Sequence, residues 1–194
     1  MKRLILVLFV ITYAIFAKAQ TDSTALILID IQNFYFPGGK SELVEPEKAA
    51  GQAKILLNYF RETKGLVVHI RHEFTPGGEI HALVAPLSSE KVFSKTEVNA
   101  FLHTGLDEYL KQNHIKKLVL CGMQTHMCLE AATRAGHDLG YECTVIKDAC
   151  ATRDLKFDEV TVAAQQVQIS TLATLKSYAK IVGLQEFQES QKKK

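Results

Sequence analysis

No stretch of this chain reaches the roughly 20 consecutive apolar residues that a membrane-spanning helix needs. No Cys-x-x-Cys pair and no zinc-type spacing of cysteine and histidine occurs, so the sequence offers no structural metal site. Internal repeats are absent, and eleven glycines and four prolines are too few for a collagen-like or low-complexity chain. Away from its ends the chain has no basic patch and no basic stripe interleaved with aromatics, which argues against nucleic acid as a partner.

What is present divides unevenly. Lys2 and Arg3 precede a nearly unbroken apolar run from Leu4 to Phe16, and Ala17-Lys18-Ala19 then presents small residues where a signal peptidase reads. Residues 1–19 are therefore expected to be a cleaved signal peptide. The mature chain is expected to be exported, either periplasmic or secreted. Without Lys2, Arg3 and Lys18 the balance is 20 basic to 21 acidic residues, a net charge of −1 against +2 for the full chain. The full sequence is 47% hydrophobic, enough to bury one core, and the chain after the leader reads as a single domain over residues 20–186. Residues 187–194, ending in three lysines, read as a flexible basic tail.

The four cysteines, at 121, 128, 143 and 150, all fall in the second half. Export permits disulfides. Cys121 and Cys143 nevertheless lie inside apolar, strand-like runs, where cysteine acts as a small buried hydrophobe. If Cys128 is needed as a free thiol, at most one pair can form, and a structural disulfide is not expected.

The elements alternate. Apolar runs predict strands at 25–31, 66–70, 118–122 and 178–182, alternation predicts one at 141–147, and K-V-F-S-K at 91–95 is a short strand candidate. Helical spacing fills the gaps: from Pro46 to about Gly65, from Gly105 to Asn113, over 127–139, and from Phe157 to about Leu175. This order predicts a single-domain α/β fold, a parallel six-stranded sheet flanked by helices on both faces in Rossmann-like fashion. Ligands of such sheets bind at the C-terminal ends of the strands. Asp30 and Lys95 end two of these strands. Cys128 follows a third, on the turn L-V-L-C-G-M-Q-T-H-M-C that runs from Leu118 into a helix.

A thiol at a helix start faces unsatisfied backbone N–H groups and the positive end of the helix dipole, which favours thiolate. A nucleophilic cysteine also needs a base. His126 is near in sequence, and Asp30 is the alternative. A buried carboxylate needs a partner. Lys95, or its neighbour Lys91, supplies one, and the K-x-x-x-N-A-F spacing favours Lys95. An attacked carbonyl carbon would place an oxyanion near the backbone amides of the 122–128 turn. Phe34, Phe36 and His126 are candidate substrate contacts. His69 and His72 read as polar strand-end or pocket-rim residues rather than metal ligands.

The motifs L-I-D-I-Q-N-F (28–34), K-T-E-V-N-A-F (95–101), T-G-L (104–106), C-G-M-Q-T-H-M-C (121–128), A-A-T-R-A-G-H-D-L-G-Y (131–141) and D-A-C-A-T-R-D (148–154) run in one order over nearly all of the mature chain. Together they resemble the isochorismatase-like cysteine hydrolase family. The resemblance implies an Asp30–Lys95–Cys128 catalytic triad. It also implies a cis peptide between Met123 and Gln124, and an oxyanion hole of the Gln124, Thr125 and Cys128 amides. It implies hydrolysis of a C–N bond in a small amide or ureido compound through a thioester, and homo-oligomers by analogy. The alternatives are an isochorismatase-type ether hydrolase, which does not need the cysteine, and a catalytically idle member acting as a binding protein. His126 stands where many members carry Asp. The stretch His69-Ile70-Arg71-His72-Glu73 lacks the Asp-x-His of the metal-binding nicotinamidase branch, so no metal or other cofactor is expected.

Overall fold

The apolar runs pair with one another in parallel. The structure, a computed structural model, describes residues 23–192, and the expected signal peptide lies outside the described residues. The strands in chain order are β1 (Thr24–Ile29), β2 (Leu66–His72), β3 (Lys91–Lys95), β4 (Lys117–Met123), β5 (Glu142–Ala151), β6 (Leu155–Phe157), β7 (Val160–Val162) and β8 (Ala179–Val182). Six of them form one sheet in the order β3-β2-β1-β4-β5-β8, every neighbouring pair parallel. Ala25 to Ile29 on β1 and Leu118 to Met123 on β4 are buried without a break, because these central strands are covered on both faces.

The helices are α1 (Pro46–Glu62), α2 (Leu106–Gln112), α3 (Glu130–Asp138), α4 (Ala164–Leu175) and α5 (Leu184–Gln191). Helix α1 starts on Pro46, whose missing N–H costs nothing there, and buries Ala49, Ala53, Leu56, Leu57 and Phe60 along one stripe. None of the described helices is long and apolar enough to cross a membrane.

The chain builds β1, β2 and β3 outward in one direction and then returns to lay β4 on the other side of β1. The strand order thus reverses between β1 and β4, and a crevice opens there at the strands' C-terminal ends. Gly122 lets the two strands meet closely. It sits at φ +130°, and a Cβ there would lie 2.0 Å from the Ile29 carbonyl oxygen. The β4–β5 register then jumps, with Leu120 opposite Val145 but Gly122 opposite Cys150, so β5 runs on to Ala151 rather than ending near residue 147.

Two expectations change. Phe157 and Val160 are not the start of a helix. They face each other across a two-residue turn in the antiparallel β6–β7 hairpin, with Asp158 at φ +50°. Their spacing of three suits a helix and a tight hairpin equally, and here the side chains are 77% and 62% exposed. Helix α4 begins only at Ala164, whose amide donates to Asp154 Oδ1 at 2.7 Å.

The second change is α5, which runs through the boundary drawn at residue 186. Asp148 Oδ2 accepts from the Leu184 amide at 2.8 Å, and Phe187 packs with its ring centroid 5.9 Å from Tyr59 and 6.3 Å from Phe60. Phe187→Ala is expected to cost about 3 kcal/mol, the low end for a buried phenylalanine, in urea-unfolding measurements. A loss near zero would show that α5 does not seal the core.

Candidate active site

Three strand ends converge on one ammonium group. Asp30 leaves β1 in the left-handed region at φ +48°, with its amide donating to Ile70 O at 3.0 Å. That corner turns the carboxylate into the crevice, where it is fully buried. Lys95 ends β3 and is also buried. Its Nζ lies 2.7 Å from Asp30 Oδ2, 3.3 Å from Cys128 Sγ and 3.2 Å from His72 Nδ1. The rival Lys91 is exposed at the far end of the same strand and rests over the Phe93 ring.

Cys128 lies in a widened π-type turn, Thr125–Leu129, that leads from β4 into α3. Thr125 donates to Ala151 O at 3.1 Å, and the His126 ring bonds through Nδ1 to the Thr152 hydroxyl. Both contacts tie the cysteine turn to the end of β5. With Nδ1 engaged there, His126 is a brace for the turn, and burial followed by the nearby Arg153 charge lowers its proton affinity. The peptide between Met123 and Gln124 is cis. The Gln124 side chain donates to the Tyr35 hydroxyl at 3.4 Å.

The electrostatics reverse one expectation. The helix start was expected to favour thiolate, yet the Cys128 thiol is pushed up to about 12, by burial first and then by the Asp30 charge, with Lys95 opposing both. Burial also raises Asp30 above the usual carboxylate range, against the pull of Lys95. The sulfur therefore rests as a thiol beside a carboxylate with heightened proton affinity. Moving the proton from sulfur to Asp30 leaves one cation and one anion in the buried site, as before. Such a transfer avoids the cost of creating a new buried charge.

The aromatic candidates divide. Phe34 and Phe36 are buried in packing, Phe34 against Tyr35 and Phe74 and Phe36 stacked 3.6 Å from the His81 ring. Phe34 borders a surface cleft of about 280 Å³ with Asn33, Lys40 and Pro76, and no triad residue lines it. Tyr35, which the sequence reading passed over, is the ring electrically coupled to the site. Burial, then the charges of Cys128 and Asp30, raise its hydroxyl, while the Gln124 hydrogen bond opposes them.

Gln32 was also missed. Its Nε2 donates to His72 O at 2.8 Å and to Gly78 O at 2.6 Å, and its Oε1 accepts from the His72 amide at 2.7 Å. The carboxamide continues the β1–β2 ladder after the backbone has turned away at Asp30. Only the alternation of polar and apolar residues in Asp30-Ile31-Gln32 hinted that this side chain points inward.

His69 is fully buried and bonds Glu90 at 3.0 Å, away from the triad, and Glu90 also holds Arg61. Among the described residues the one cluster with the donor set for a metal ion is Asp30, His72 and Cys128. The Lys95 ammonium already stands among these three, so the cluster is balanced by a covalently attached cation.

An isochorismatase domain pattern matches residues 24–177. The chain belongs to the isochorismatase family. This isochorismatase-family hydrolase is 43% identical over 164 residues to the family protein YddQ of Bacillus subtilis, a match that spans 79% of the chain and 91% of YddQ. Over 143 residues it is 35% identical to the ureidoacrylate amidohydrolase RutB of Acinetobacter baylyi, covering 72% of the chain and 58% of RutB. The crystal structure of an isochorismatase hydrolase from Oleispira antarctica matches at a TM-score of 0.82 and 45% identity, over 87% of this chain and 96% of that one.

Replacing Gln32 by Leu would strand the His72 amide and two carbonyls. The expected loss is about 2–4 kcal/mol, read by chemical unfolding. Stability within about 0.5 kcal/mol of the parent would show that the carboxamide pins nothing.

Proposed function

We propose that this protein is a cysteine hydrolase cleaving a C–N bond of a small amide or ureido compound, with Asp30, Lys95 and Cys128 as the catalytic triad. The observation that carries the proposal is Lys95 Nζ held between Asp30 Oδ2 at 2.7 Å and Cys128 Sγ at 3.3 Å, buried at the switch point of the sheet. The likeness to an enzyme named for ureidoacrylate amide hydrolysis supports the same substrate class.

The steps follow from the charges. As sulfur attacks the carbonyl carbon, its proton passes to Asp30 and the sulfur's growing charge is held by Lys95. The carbonyl oxygen gathers negative charge facing the amides of Gln124, Thr125 and Cys128. The C–N bond then breaks, Asp30 returns the proton to the leaving nitrogen, and ammonia or an amine departs. Water, deprotonated by Asp30, attacks the thioester. The acid leaves and the thiol is restored. The raised proton affinity of Asp30 suits it to take a proton and give it back within each turnover.

The raised Asp30 also sets a pH direction. A carboxylate with raised affinity is protonated at higher pH than usual, and the protonated acid cannot accept from sulfur. Activity is expected to fall on acidification at a pH above the ordinary aspartate range. An acid limb lying within that ordinary range would contradict the assignment.

The decisive assay measures ammonia release from a panel of small amides and ureido acids. Cys128→Ala and Cys128→Ser are expected to abolish release, and Asp30→Asn to lower kcat by about 10²–10⁴-fold. Turnover that survives Cys128→Ala would sink the thioester route and point to ether hydrolysis. No turnover of any panel member by the folded parent protein would point to an idle binding protein. Export is part of the proposal, resting on residues 1–19. Recovery of the protein in the cytoplasm with those residues attached would remove it.

A further inference from the structure

We propose that His72 is a positioning residue of this site: its ring, carried on a backbone that Gln32 holds, accepts a hydrogen bond from the Lys95 ammonium at Nδ1 and thereby aims that ammonium at Asp30 and Cys128. The inference rests on the triad reading above and deepens it.

An ammonium has three N–H donors and no acceptor. Three groups surround Lys95 Nζ: Asp30 Oδ2 forms an ion pair at 2.7 Å, and His72 Nδ1 at 3.2 Å and Cys128 Sγ at 3.3 Å are its hydrogen-bond partners. Because lysine only donates, the ring nitrogen facing it must carry its lone pair, and the ring proton belongs on Nε2. Two hydrogen bonds fix the rotation of the ammonium, and the ion pair with Asp30 fixes its place. With Nδ1 removed, one N–H of a buried cation would lack a partner and the flexible stem would turn to find another.

The backbone that carries the ring is held in place. His72 and Lys95 stand opposite each other in the β2–β3 register, so their side chains leave the sheet together. The His72 backbone is held at both its N–H and its C=O by the one Gln32 carboxamide. The charged groups around the ring come from several segments: Lys95 from β3, Asp30 from the exit of β1, Glu97 from the stretch after β3, and Glu73 next in sequence. Burial and the Lys95 charge lower the ring's proton affinity and outweigh the three carboxylates, which keeps it neutral at pH 7.

The test uses the intact protein with ¹⁵N-labelled histidine. The expected spectrum shows His72 as the Nε2–H tautomer, titrating below the roughly 6.5 of a free imidazole and moving upward in Lys95→Met, which removes the neighbouring charge. An Nδ1–H tautomer, or an imidazolium at pH 7.5, would overturn the assignment. In kinetics, His72→Leu is expected to lower kcat roughly 100-fold at nearly constant KM. His72→Asn, whose side-chain oxygen can take the place of Nδ1, should recover to within about tenfold of the parent. Wild-type kcat in a folded His72→Leu variant would equally overturn it, with thermal unfolding of both variants separating loss of aim from loss of fold. The spectra need no substrate, so absent turnover with the Nε2–H tautomer in place counts against the hydrolase reading and not against this one.

Discussion

One buried ammonium sets the terms for the whole site. Lys95 cannot remain buried without a negative partner, and two groups beside it can carry that charge, Asp30 and Cys128. Burial raises the proton affinity of both; the Asp30 charge raises that of the thiol further, while the thiol's hydrogen bond lowers that of Asp30, so the carboxylate carries the resting charge. The proton that remains has a choice of two homes a few ångströms apart. Thiol and carboxylate are thus one coupled system around a fixed cation, and the protonation of the sulfur is better described by that exchange than by the thiol alone.

The sheet supplies the cation from an unexpected distance. Lys95 belongs to an edge strand, two places from β1, and its chain must pass the end of β2 to reach Asp30. His72 is the residue standing at that passage. On the other side, the bare backbone of Gly122 brings β4 against Ile29, one residue before Asp30, so that the turn carrying Cys128 starts in register with the carboxylate. The short strand β3 matters because its last residue sets the third corner of the site.

Much of this was legible in the chain. Continuous apolar runs gave β1, β2 and β4, because strands covered on both faces have no polar side to show, while β3 was read from a short run and β5 from alternation. A charge or a thiol at the end of such a run marks a site, since nothing else excuses it there; Asp30, Lys95 and Cys128 were found that way. Gln32 and His72 were not, because their work depends on which strand lies beside which, a fact no local pattern carries. The effect of burial on Cys128 was also hidden, since the helix start was visible in sequence and the depth of the crevice was not. Phe157 and Val160 misled because a spacing of three serves a helix and a tight hairpin alike. Helix α5 escaped notice because only Leu184 and Phe187 anchor it, in a stretch that otherwise reads as polar.

The Gln32 carboxamide has a mechanical consequence. It is a single planar group joined to three segments at once: the exit of β1 that carries it, the end of β2 through both sides of His72, and the loop after β2 through Gly78. Backbone bonds from Asn33 to Glu79 and from His81 to Ile31 stitch the same loop to the same exit. The loop is therefore part of one rigid block with the corner at Asp30. A displacement at residue 78 would arrive at the His72 backbone, which carries the imidazole beside Lys95, through two hydrogen bonds to one carboxamide, so the loop and the buried ammonium share a single lever.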